Sequence, residues 1–254
     1  MNACRADRLL DDPGVLAAAV RAFGAAAGAP EPAVAASLFV QAWAVCVSRP
    51  VLAPLVAGRR VPDAAAANTV LVFDGGHRPV GAAAITPRFA ALAGDVLAAG
   101  DPWAELVEDD DALFAWARAR MFDGHLAGVV GVLREVAPVG ERLLWGNVAA
   151  AVAGGFAGLS FRPDAAAAIG ADRLRADAAR LLDRPGSPTE GLASLLPVTQ
   201  AGVTRLFVRR RTCCLRYRLP DAPPTCLSCR LLPEPDRRRR ITERLAPKSR
   251  GAGS

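Results

Sequence analysis

Over most of its length this chain repeats its apolar positions with helical rather than strand rhythm. Residues 13–28 and 31–48 read as two helices, with Pro32 suited to a first helical turn and Pro50 closing the second. Residues 51–61 continue as a short helix. The rhythm then changes: 69–73 is a β-rich run, Asp-Gly-Gly follows at 74–76, and 80–85 pairs back as a small hairpin. Helical patterning resumes over about 102–120, 122–137, 141–158 and 164–183, the first of these behind Asp101-Pro102 as N-cap and first position. Arg184-Pro-Gly-Ser-Pro-Thr is a loop, and a short helix is expected over 188–195. Beyond Gly202 the texture shifts again, to the strand-like VTRLFV and then to Arg, Cys and Pro.

Composition agrees with that pattern. The apolar residues are mostly Ala, Val and Leu, aromatics are few, and there is a single Tyr. Ala and Leu favour helices, whereas strands draw on β-branched and aromatic residues. The expected class is therefore α+β and mainly α-helical: a helical body with a small β-hairpin and a cysteine-rich C-terminal knuckle. The expected organisation is a body over 1–200, a cysteine segment over 201–235 and a basic tail without regular structure over 236–254. Charge follows the same division, with a net of +10 over residues 201–254 and −4 over residues 1–200. Such asymmetry signals a partner without naming it. The opening MNACRADRLLDDPG carries charges where a secretory signal would be apolar, which points to a cytoplasmic, reducing setting. The charge-free run 143–161 is nearly long enough to cross a bilayer, but its Asn147 and its Ala and Gly content favour a buried helix.

The chemistry concentrates in RTCCLRYRLPDAPPTCLSCR, residues 211–230. Cys213 and Cys214 are adjacent, and Cys226 and Cys229 form a C-x-x-C. A C-x-x-C presents two thiolates to one metal from a tight turn. In an extended doublet neighbouring side chains point to opposite faces, so a single tetrahedral zinc needs a kink there, and a binuclear iron–sulfur cluster is more tolerant. Geometry ranks the cluster modestly above zinc and leaves both open. Arg209, Arg210, Arg211, Arg216 and Arg218 place positive charge beside the thiols, either as a solvated face or as a docking surface for an acidic electron donor or another anion.

The pairing C-C, loop, C-x-x-C near the C-terminus, with a basic stretch containing Tyr217 after the doublet, resembles the ferric-siderophore reductases of the FhuF type. Ser37-Leu-Phe-Val-Gln-Ala-Trp43 and Arg142-Leu-Leu-Trp-Gly-Asn-Val-Ala149 are also similar to that family. The resemblance implies a [2Fe–2S] cluster on Cys213, Cys214, Cys226 and Cys229. It further implies one-electron reduction of a cytoplasmic ferric siderophore, and an external donor such as a ferredoxin or a flavoprotein reductase. Two departures stand out. The loop Leu215–Thr225 is one residue longer than is usual in the family, and Arg230 replaces the proline that commonly follows the last cysteine.

Other residues point nowhere comparable. Gly154, Gly155 and Gly158 lie inside an apolar helical pattern, not after a strand, so they form no dinucleotide loop. His77 and His125 lack ligand spacing, Cys4 and Cys46 are isolated, and Trp43 and Trp145 read as core. The reading expects no nucleic-acid partner. Its rivals are an iron–sulfur carrier or sensor, a zinc knuckle whose Arg-rich end binds nucleic acid, and a peripheral membrane component of siderophore uptake.

Overall fold

The computed structural model describes residues 2–29, 31–222 and 225–246, without the side chains of 165–167. Pro223, Pro224 and the last residues of the basic tail, 247–254, lie outside the described residues. In chain order the elements are β1 (Asn2–Arg5), α1 (Ala6–Leu10), α2 (Pro13–Ala26), α3 (Pro32–Gly58), β2 (Arg60–Pro62), β3 (Thr69–Phe73), β4 (Pro79–Ala84), β5 (Phe89–Leu92) and β6 (Ala104–Val107). There follow α4 (Asp110–Arg118), a π-helical stretch (Ala119–Leu126), α5 (Ala127–Val136), α6 (Glu141–Leu159), α7 (Pro163–Ile169), α8 (Ala171–Leu182), β7 (Ala193–Gln200), β8 (Val203–Arg210), a 3-10 turn (Arg216–Arg218) and α9 (Glu234–Leu245). The class is α+β and mainly helical, as expected.

Two long apolar helices form the centre. In α3, Phe39, Trp43, Val47, Val51, Leu52 and Leu55 are buried, and the helix packs along α6. Close approach is needed there: a Cβ at Gly155 would stand 2.4 Å from a Leu52 methyl. The charge-free run 143–161 is thus the core helix α6, as its composition suggested. Among the described residues, α3 is the one helix long and apolar enough to cross a membrane; 61% of that apolar stretch is buried against the rest of the protein. Contrary to expectation, Pro50 does not end the second helix, and α3 runs on through Pro50 and Pro54 to Gly58. Each proline removes one helical hydrogen bond; burial of Val51, Leu52, Leu55 and Val56 against the core outweighs that loss.

Three small sheets surround the pair. β3 and β4 form the expected hairpin, and β1 adds antiparallel to its other edge, Cys4 facing Leu71. β5 lies between antiparallel β2 and parallel β6. That last strand corrects the helix expected from residue 102. The Asp101 carboxylate accepts from the Trp103 N–H in a turn, and the helix cap is Asp109, which accepts from the Ala112 N–H. The helix expected over 188–195 is also corrected: the chain turns and enters β7, which pairs with β8 along its whole length from Ala193–Arg210 to Gln200–Val203. The boundary expected at residue 200 therefore falls inside one hairpin, and β8 packs on α6 with the body. Finally, residues 236–245 of the expected tail belong to a helix, α9, with Arg237 and Ile241 buried.

Candidate metal centre and adjoining cleft

β8 ends at Arg210, three residues before the doublet, so Cys213 and Cys214 lie in irregular chain and not in a strand. Leu215 then takes a left-handed conformation (φ 59°), and its N–H donates to the Cys213 Sγ at 3.4 Å. The second pair sits on the tight turn that its spacing implied, closed by the Cys229 N–H donating to the Cys226 carbonyl at 3.0 Å. The Cys226 Sγ lies 3.4 Å from the Ser228 hydroxyl. One backbone bond ties the two segments, the Arg210 N–H donating to the Ser228 carbonyl at 3.2 Å.

The doublet is seated on the helical core by side chains that have no role in ligation. The Ser37 hydroxyl of α3 donates to the Cys214 carbonyl at 2.8 Å. The Asn147 amide of α6 donates to both the hydroxyl and the carbonyl of Ser37, at 2.8 and 2.9 Å. Next to Asn147, Gly146 faces Thr212: a Cβ at Gly146 would fall 1.8 Å from the Thr212 Oγ1. The two stretches similar to the family, around Ser37 and around Gly146-Asn147, are thus where the cysteine segment docks.

The C-x-x-C turn is held from its other side by α9. The Arg237 guanidinium, 3% exposed, donates to the carbonyls of Leu227, Cys229 and Leu232 at 2.5, 2.8 and 3.0 Å. Arg240 donates to the Thr225 hydroxyl at 3.0 Å. Both fall in the stretch that the sequence suggests is a basic tail without regular structure. The signals that mark this helix are Pro-Glu-Pro-Asp at its start and acid–arginine pairs at helical spacing, such as Glu234 with Arg238 and Asp236 with Arg239.

The five arginines proposed for docking divide. Arg209 lies 4.0 Å from the Glu234 carboxylate, and Arg218 pairs with Glu31 at 2.6 Å. Arg210 is 4% exposed, so it offers no outer surface. Arg211 and Arg216 are exposed and make no ion pair among the described residues. The two histidines stand apart from the cysteines. His125 and Trp43 are buried together, Trp43 Nε1 donating to His125 Nε2 at 3.0 Å while His125 Nδ1 meets the Ala64 carbonyl at 2.7 Å. His77 is exposed in the β3–β4 turn.

The donor set fits an iron–sulfur cluster chemically. Four free, half-buried thiols stand on two linked segments, and two of the sulfurs have hydrogen-bonding neighbours. Among the described residues no three His, Cys, Asp or Glu side chains stand in ligating position, so all four thiols reach one centre only if the segments adjust locally.

One cysteine of each pair, Cys214 and Cys226, borders a cleft of about 1100 Å³. Its floor is one face of α3, with Leu38, Gln41, Ala42, Val45, Cys46 and Arg49 at helical spacing. The β3–β4 hairpin supplies a second wall, including Asp74 and Arg78, and the cysteine segment supplies Arg210 and Arg216. Burial raises the Cys46 thiol pKa above its ordinary value, although Arg49 and Arg78 both act to lower it. Sequence reasoning missed this cleft, whose walls come from residues far apart in the chain. Its one local signal was the pair of polar residues, Gln41 and Arg49, on a single stripe of an otherwise apolar helix.

No curated protein matches the chain. The family model described as ferric iron reductase FhuF-like transporter matches residues 37–210. The match begins at Ser37, which holds the Cys214 carbonyl, takes in Gly146 and Asn147, and stops before the cysteines themselves. Through this helical body and its docking residues, well over half of its length, the chain belongs to the FhuF-like ferric iron reductase family.

Proposed function

We propose that this protein reduces ferric siderophores by one-electron transfer in the cytoplasm, with a [2Fe–2S] cluster on Cys213, Cys214, Cys226 and Cys229. The observation that carries this reading is the position of Cys214 and Cys226: one cysteine from each pair lines a single cleft large enough for a metal chelate. When bound, such a cluster supplies electrons one at a time. A chelate seated between α3 and the hairpin lies against the cysteine segment, so its ferric ion needs no further carrier. Hard oxygen donors hold Fe³⁺ tightly and the resulting Fe²⁺ far less so, and a soft trap then completes release. No proton has to move on the protein, in keeping with a wall whose one acid, Asp74, is occupied: its Oδ1 accepts from the Gly76 and Arg78 N–H groups. An external ferredoxin or flavoprotein reductase returns the electron, with Arg211 and Arg216 among the exposed cations near the cysteines.

Anaerobic purification, a visible spectrum and iron and sulfide analysis test the centre. A red-brown protein is expected, and Cys214→Ser or Cys226→Ser removes the colour. The reduced protein, mixed with ferric siderophore and a ferrous trap, is then expected to reoxidise as the trap develops colour. A colourless, zinc-loaded product overturns the reading, as does a reduced protein that leaves every ferric siderophore untouched.

A further inference from the structure

Resting on the reading that this cleft seats a ferric chelate, we infer that it selects chelates of net negative charge, such as tris-catecholate or hydroxycarboxylate complexes, over neutral tris-hydroxamates. Most half-buried arginines elsewhere in the molecule are paired. Arg59 meets Asp177 at 2.8 Å, Arg60 meets Asp95 at 2.6 Å and Arg180 meets Asp110 at 3.0 Å. The cleft's one buried arginine, Arg210, departs from that rule. Arg49, Arg78 and Arg216, which are exposed, border the cleft with it, and none of the four makes an ion pair among the described residues. Residues outside that description include no Asp or Glu.

Arg210 is the strongest of the four. It is 4% exposed, lines the cleft, and its guanidinium has neither a hydrogen-bond acceptor nor a carboxylate among the described residues. Its nitrogens are not sealed off from the open cleft, so an anionic ligand there gains a charge-assisted contact with no competing carboxylate. Arg49 comes from α3 and Arg78 from the β3–β4 turn, so the positive charge surrounds the space and does not belong to the cysteine segment alone. Both line the cleft and act on the Cys46 thiol in its α3 floor. The lining of Leu38, Ala42, Val45 and Leu219 gives apolar surface for aromatic or alkyl parts of a chelator. An apolar floor beneath unpaired guanidinium groups matches the faces and the charge of a tris-catecholate complex.

The test is equilibrium binding of gallium(III) chelates to the full-length protein, because gallium matches ferric charge and shape but accepts no electron. The triply negative tris-catecholate complex is expected to bind at least about tenfold tighter than the neutral tris-hydroxamate. That gap narrows as salt rises. The double variant Arg49→Gln/Arg78→Gln, both exposed positions, cuts the anionic affinity about tenfold and leaves the neutral one unchanged. Equal affinities, tighter neutral binding, no chelate binding at all, or an unaffected double variant each overturn the inference. Failure of the reductase reading has a separate signature: charge-selective binding of gallium chelates by a protein that, reduced, yields no Fe²⁺ from the ferric counterparts. Reduction without charge preference sinks the selectivity alone.

Discussion

The seat of the cysteine doublet depends on one missing methyl group. At Gly146 a Cβ would come within 1.8 Å of the Thr212 Oγ1 and 2.7 Å of its Cβ, so rotating the threonine does not relieve the clash. Gly146→Ala therefore displaces the chain beside Cys213 and is expected to destabilise the protein by about 1–3 kcal/mol. Thiol-reagent kinetics on the metal-free protein should show Cys213 and Cys214 reacting faster, and Thr212→Ala in the same background should recover part of the loss. If reactivity and melting temperature stay at wild-type values, the docking described for Thr212 is wrong. The sequence alone exposed the stretches around Ser37 and Gly146-Asn147 as similar to a family, but offered no reason for them. The reason is a three-way contact of α3, α6 and the cysteine segment, and no local pattern encodes the meeting of residues 37, 147 and 214.

Among the elements, α9 changes the picture most. An Arg-rich terminal run without regular structure is what the sequence suggests, yet Arg237 faces inward and occupies three carbonyls in and just after the C-x-x-C turn. Arg237→Ala leaves those carbonyls short of donors, at about 2 kcal/mol for the local structure. Amides of residues 226–232 are then expected to exchange about thirtyfold faster, with little change in the global unfolding midpoint because the turn lies at the edge of the core. Lysine cannot reproduce the fork, so Arg237→Lys should resemble the alanine variant. Unchanged exchange in both variants would remove α9 from any role in holding the turn. Elsewhere the hairpin β3–β4 and most helices were legible from apolar spacing and turn residues. Several elements were not, β6 and β7 among them. β6 forms because Ala104–Val107 finds parallel β5, and β7 because it finds β8; both are tertiary pairings that override a helical-looking composition. The end of the second helix was misjudged because propensity at Pro50 is weaker than the burial beyond it.

At the scale of the whole molecule, the cleft and the core share α3: one face lines the cleft and the others carry Phe39, Trp43 and Leu52 into the interior. This arrangement was out of reach from sequence, since it joins residues from 23 to 228. It also links folding to pH through His125, which is almost fully buried between the Ala64 carbonyl and Trp43. Burial pushes its imidazole down to about 4 from an ordinary 6.5, with the bond to Ala64 opposing weakly. Because the folded value is the lower one, the unfolded chain binds the proton first. Stability is thus full above the unfolded value near 6.5 and falls as pH drops towards 4, by about 1.4 kcal/mol per pH unit once well inside that window. Urea unfolding at successive pH values should therefore lose about 2 kcal/mol between pH 7.5 and pH 5. His125→Gln keeps an acceptor for Trp43 but cannot titrate, so its curve should be nearly flat over that interval, while His77→Gln, at an exposed position, should follow the wild type. A wild-type curve that is flat down to pH 5 would mean that His125 is not held neutral by the core.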